Sequence, residues 1–111
     1  MPKGVLIVES VPSSPDRVDE YNRWYNEVHL PEVCSIPGFV GATRYEPVDA
    51  EGPYVAVYEL DLADLNDAMT LLGDAVGRGE IQMSDALCLD PPPTVRVLSL
   101  EARHEPAAAR A

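Results

Sequence analysis

The rarest residue types of this chain gather in one run, residues 21–39, YNRWYNEVHLPEVCSIPGF. It holds the single Trp (Trp24), the single Phe (Phe39), two of the five Tyr (Tyr21 and Tyr25) and one of the two His (His29). An imidazole titrates near pH ~6.5, which suits it to moving protons under neutral conditions. At helical spacing Trp24 and Tyr25 stand four to five residues before His29. Tyr21 stands eight before it, two turns away and near the same face. A phenol, an indole and an imidazole so placed can surround one small molecule. His29 is the candidate acid–base group, Tyr21 or Tyr25 the candidate phenolic donor, and Trp24 a candidate substrate contact. A second reading stays open. His29 sits where a helix should end, the dipole there favours its charged form, and it can cap a free carbonyl while the aromatics serve as core.

Further along, Arg44 can stabilise an enolate or a carboxylate, or pair at a surface with Glu46, Glu59 or Asp61. Tyr45 should lie on the opposite face of that strand. Tyr54 and Tyr58 share a parity, so one sheet face carries two phenols; ordinary sheet packing is the alternative. Asn22 and Asn26, one turn apart, read first as solvated helix positions. Asn26, Phe39, Arg44 and Tyr58 complete the candidate substrate contacts. His29 with Glu27 or Glu32 is too sparse for a metal, which needs three or four convergent ligands, and haem would have only His29 as an axial ligand inside the fold. No metal and no cofactor is expected. The chain has no G-x-S-x-G elbow, no Walker A loop and no G-x-G-x-x-G. Cys34 and Cys88 follow no metal or disulfide spacing and read as small buried hydrophobes.

The elements that must position these residues are legible in turn. Residues 4–11 (GVLIVESV) form a β-branched strand that Pro12 should stop. Ser14, Pro15 and Asp16 make a helix start, with Ser14 as N-cap and Pro15 at the first helical position. Val18, Tyr21, Trp24, Tyr25 and Val28 give that helix an apolar face. Pro31 lacks an N–H and its ring opposes the Glu27 carbonyl, so the helix should kink or end near His29 and Leu30. Val33, Cys34 and Ile36 then fit a short turn closed by Pro37-Gly38. Residues 39–48 and 54–60 read as strands flanking a turn at 49–53. Asp61 should cap a second helix, with Asp64 at the third helical position; Leu62, Leu65, Met69, Leu72 and Val76 form its stripe, and Gly77 and Gly79 end it. Residues 80–93 read as irregular, 94–102 as a fourth strand, and 103–111 as a flexible tail.

The β-α-β-β-α-β order predicts an α+β, ferredoxin-like fold over residues 1–102: a four-stranded antiparallel sheet with both helices on one face. The strands are apolar at both parities, with Val5 and Ile7 against Leu6 and Val8, and Val55 and Val57 against Tyr54, Ala56 and Tyr58. Two helices cover one face only, so a second copy of the chain should cover the other, giving a homodimer.

The 111 residues make one domain, which buries roughly 65% of its unfolded surface. Nineteen acidic residues against eight basic ones leave a net charge of −11. That balance argues against nucleic acid, which needs Lys and Arg to release counterions, and against an anionic membrane surface or a steered anionic substrate. A neutral or apolar ligand fits better. The first ten residues carry too short an apolar run for a signal peptide, and no stretch reaches the roughly 18 apolar residues of a membrane span. A soluble, cytoplasmic protein is expected.

Residues 21–46 are also similar to the signature of EthD-like proteins, in which W-x₄-H-x-P precedes a PGF strand start. Trp24, His29, Pro31 and Pro37-Gly38-Phe39 stand at those positions. The resemblance covers about a quarter of the chain and implies the dimeric α/β-barrel superfamily. That superfamily includes cofactor-free monooxygenases, polyketide cyclases, lactone isomerases, haem-degrading enzymes and small proteins of unknown role. The expectation is a cofactor-independent enzyme acting by acid–base chemistry on an apolar, aromatic or polyketide-like substrate. The alternatives are a ligand-binding or accessory protein using the same pocket, and a purely structural dimer domain.

Overall fold

The computed structural model describes residues 3–49 and 51–106. The chain is α+β. Strands β1 (Lys3–Ser10), β2 (Phe39–Tyr45), β3 (Tyr54–Asp61) and β4 (Thr94–Ser99) form one antiparallel sheet in the order β2-β3-β1-β4. This order and the two helical units are compatible with a ferredoxin-like fold. The predicted β2 and β4 overrun the observed ones by three residues each: Pro47 has no N–H for a ladder, and Leu100 closes the sheet edge through a single N–H to the Lys3 carbonyl.

The first helical unit has four parts. A 3-10 turn at Pro15–Arg17 leads into α1 (Val18–Trp24), a π turn follows at Tyr25–His29, and α2 (Leu30–Val33) completes it. Pro31 therefore does not end the helix. In the wider π turn the Leu30 N–H reaches the Tyr25 carbonyl, and this re-spacing admits a proline where a regular α-helix would clash. Ser14 has the extended backbone of a cap but gives its hydroxyl to Asp16 Oδ1 rather than accepting from the backbone. Gly38 then turns the chain into β2 at φ 93°; a Cβ there would be strained and would strike Leu62.

The second unit starts three residues later than expected. Asp61 is the last residue of β3, and Asp64 caps instead, accepting from Asn66 N–H at 3.0 Å. A 3-10 turn (Leu65–Asp67) feeds α3 (Ala68–Gly77). Leu6 from β1 and Ala56, Tyr58 and Leu60 from β3 bury against residues of both helical units in one cluster. The odd-numbered Val5, Ile7, Val55 and Val57 face the other way and stay half-exposed.

Residues 80–93 are irregular yet tied down. Ile81, Ala86 and Leu87 are buried. Ser13 N–H and the Ala86 carbonyl bond at 2.6 Å, and Arg17 Nη2 reaches Asp85 Oδ1 at 2.6 Å. Residues 103–106 are exposed and without regular structure; the rest of the expected tail lies outside the described residues. No helix among the described residues is long and apolar enough to cross a membrane.

Candidate functional site

The π turn carries Tyr25, Asn26 and His29, and β2 and β3 bring Arg44, Tyr54 and Tyr58 to face it. The antiparallel register sets Arg44 opposite Ala56 and Ala42 opposite Tyr58, so Arg44 is on the helix-facing side with both phenols. Its neighbour Tyr45 is exposed, as alternation requires.

Arg44 is the centre of the group. Its guanidinium carbon lies 4.3 Å from the Tyr25 ring centroid and 5.2 Å from those of Tyr21 and Tyr54. Nη1 donates to Asn26 Oδ1 at 2.8 Å. Nε and Nη2 are hidden from solvent and have no hydrogen-bond partner. The surface pairing with Glu46, Glu59 or Asp61 is not made: among the described residues no carboxylate comes within ion-pair distance of Arg44. The three rings hold the cation by their faces without satisfying that edge of its donor fork.

His29 stacks on Trp24, with centroids 4.6 Å apart, and meets Tyr25 edge-on at 4.9 Å. It does not end a helix, so the expected dipole stabilisation of its charged form gives way to burial. Burial first, opposed by Glu32 and aided by the Arg44 charge, pulls its pKa down to about 4. The imidazole is neutral at physiological pH. Its Nδ1 is buried without a partner, so the expected carbonyl cap is not made by that nitrogen.

Burial raises the pKa of Tyr21, Tyr25 and, most strongly, Tyr58, where the neighbouring Tyr25 adds to it. All three phenols stay protonated near neutral pH. The Tyr58 hydroxyl is buried without a partner. The Tyr21 hydroxyl instead sits 2.7 Å from Ser10 Oγ and 3.3 Å from the Ser10 carbonyl. Tyr21 thus positions its ring beside Arg44 while its oxygen is engaged elsewhere. Trp24 is likewise anchored, its Nε1 donating to the Gln82 carbonyl at 3.0 Å, and Glu32 accepts from the Gln82 N–H and Nε2.

A cavity of about 310 Å³ opens beside the guanidinium, lined by Asn22, Asn26, Arg44, Tyr45, Glu46 and Tyr54. Asn22 and Tyr54, read from the sequence as solvated helix and ordinary sheet positions, belong to the site. Their signal was present: Asn22 is one turn from Asn26, and Tyr54 shares its strand face with Tyr58. Phe39, expected to touch substrate, is 2% exposed at the start of β2 and forms part of the core. Neither His29 nor Tyr58 lines this cavity. Among the described residues no three His, Cys, Asp or Glu side chains converge as a metal site would require.

Comparison of the chain with family models, with curated proteins and with solved structures finds no match.

Proposed function

We propose that the chain is a cofactor-independent, EthD-like enzyme performing acid–base chemistry on a small aromatic or polyketide-like carbonyl compound. One observation carries this reading: a neutral imidazole and an unsatisfied guanidinium set against the same Tyr25 ring. Proton abstraction next to a carbonyl needs both functions. The C–H bond breaks, its proton passes to a ring nitrogen of His29, and its electron pair becomes an enolate. Arg44 faces the developing oxyanion in a low-dielectric setting, where a fixed cation is most effective. Tyr25, protonated at neutral pH, is the phenolic donor. Cyclisation, isomerisation and cofactor-free oxygenation all share this step.

A second reading, a non-catalytic ligand-binding or accessory protein, is favoured by the absence of His29 from the cavity lining. His29→Gln separates the two. Turnover of planar aromatic ketones should fall by roughly 10²–10⁴-fold, with ligand affinity retained. Binding without turnover in both proteins leaves the accessory reading standing.

The reading includes a cytoplasmic homodimer built as a dimeric α/β barrel. Its support is the half-exposed apolar face of Val5, Ile7, Val55, Val57 and Leu98, which neither helical unit covers.

A further inference from the structure

We infer that Glu32 is a positioning residue for His29, acting through Gln82 and the indole of Trp24. The inference rests on the reading of His29 as the proton acceptor, and it concerns how that ring is held. Its basis is a chain of hydrogen bonds between two parts of the fold that are distant in sequence. The Glu32 carboxylate, on α2, accepts from the Gln82 N–H at 2.7 Å through one oxygen and from Gln82 Nε2 at 3.0 Å through the other. Gln82 is thereby gripped at backbone and side chain, next to the buried Ile81. Its carbonyl accepts from Trp24 Nε1 at 3.0 Å. The indole so fixed is the plane on which the imidazole stacks.

The π turn brings the two rings together. Trp24 and His29 are five residues apart; regular α spacing would set them roughly 140° apart around the axis, whereas the i to i+5 spacing of a π turn aligns them. The turn does not fix the tilt of an indole about its own bonds, and the Gln82 carbonyl supplies that. Residues 80–93 are irregular, so no helix or strand sets the place of Gln82. A carboxylate suits the task because it only accepts and can take both donors at once, and bonds to a charged acceptor are stronger than neutral ones.

The same carboxylate bears on the chemistry of the imidazole. Burial is the largest influence on His29 and disfavours its charged form. Of the charged groups around it, Glu32 on α2 favours the protonated ring and Arg44 on β2 opposes it. Tyr25 meets it as a protonated phenol from the π turn, and Gln82 brings no charge. Glu32 therefore keeps His29 a stronger base than burial and Arg44 alone would leave it. A general base works best with its pKa near the working pH, so one side chain serves both the orientation and the basicity of the ring.

The test follows two signals by NMR, without substrate, in the native protein, Glu32→Ala and Glu32→Gln: deuterium exchange of the Trp24 indole N–H, and the titration of the His29 ring. Glu32→Ala removes both acceptors and should speed the indole exchange roughly tenfold or more. Glu32→Gln keeps one oxygen for the Gln82 N–H and lets the two amides pair once that of Gln82 turns. Its exchange should stay within about threefold of native. With the charge gone, its His29 midpoint should fall below the native one. A tie that only held residues 80–93 in place would leave that midpoint where it is. An unchanged exchange rate in Glu32→Ala, a Glu32→Gln rate as fast as that of Glu32→Ala, or an unmoved or raised midpoint in Glu32→Gln would each overturn the inference. If Glu32→Ala does not fold, the Glu32→Gln midpoint decides alone. The outcome is separable from the proposed activity. Turnover lost in His29→Gln, with the Glu32→Gln midpoint unmoved, keeps the enzyme reading and ends this inference. A lowered midpoint in a protein that turns nothing over does the reverse.

Discussion

The imidazole of His29 lies almost parallel to the indole of Trp24, 29° between planes and 4.6 Å between centroids. One residue is the proposed proton acceptor and the other the single tryptophan of the chain, so the state of the first is readable in the second.

His29 should make stability fall with acidity in a defined window. Its folded pKa, about 4, is below its ordinary 6.5. Between those values the unfolded chain binds a proton that the folded chain refuses. The stability is therefore complete above about pH 6.5 and is lost progressively as the pH falls to about 4, by roughly 2–3 kcal/mol. Urea midpoints at pH 7.5, 5.5 and 4 measure it. His29→Gln should flatten that part of the profile, and an unaltered slope in the variant would show that other groups carry it. In the native protein, Trp24 emission should change with a midpoint near pH 4, as the stacked ring gains charge.

Two buried hydroxyls should respond in opposite ways to removal. Tyr21→Phe leaves Ser10, 5% exposed, without its side-chain partner and should cost about 1–2 kcal/mol. Tyr58→Phe deletes a buried hydroxyl with no partner and should be neutral or stabilising by up to about 1 kcal/mol. Thermal denaturation of the two variants side by side is sufficient. A Tyr58→Phe loss as large as that of Tyr21→Phe would mean that the Tyr58 oxygen has a partner in solution.

The outer face of the sheet should hold the dimer. Ile7 and Val57 are register partners there. Val57→Asp should convert a dimer into a monomer at micromolar concentration, seen by sedimentation equilibrium, while His29 and Trp24 keep their coupled titration. A native protein that sediments as a monomer at that concentration sinks the dimer and the barrel with it.

The architecture was readable because it rests on local patterns. Period-2 strands, Pro12 as a stop and the helical stripe from Val18 to Val28 gave the element order. What escaped was fixed by contacts between elements. Pro31 read as a break because a proline in a regular helix is one; whether the chain re-spaces itself around it depends on what Tyr25 and His29 pack against. Asp61 and Asp64 are equivalent caps by type, and the length of β3 chooses between them. The protonation of His29 follows the same rule: a place near a helix end favours its charged form and is a sequence property, whereas the burial that keeps it neutral is not. Strand alternation sets Arg44 opposite Tyr45, but nothing local reveals that three rings and one amide surround it and leave two donors over.

The π turn has a consequence for how such a chain could have arisen. A π turn is an α-helix with one residue inserted, and on either side of Tyr25–His29 the helix keeps its phase, Tyr21 and Trp24 before it and Val33 after it all turned to the core. Deleting a single residue within 25–29 would restore regular α spacing and set the Pro31 ring against the carbonyl four residues before it. The turn that carries Tyr25, Asn26 and His29 and the proline that follows it are therefore one feature, and neither could be lost without disturbing the other.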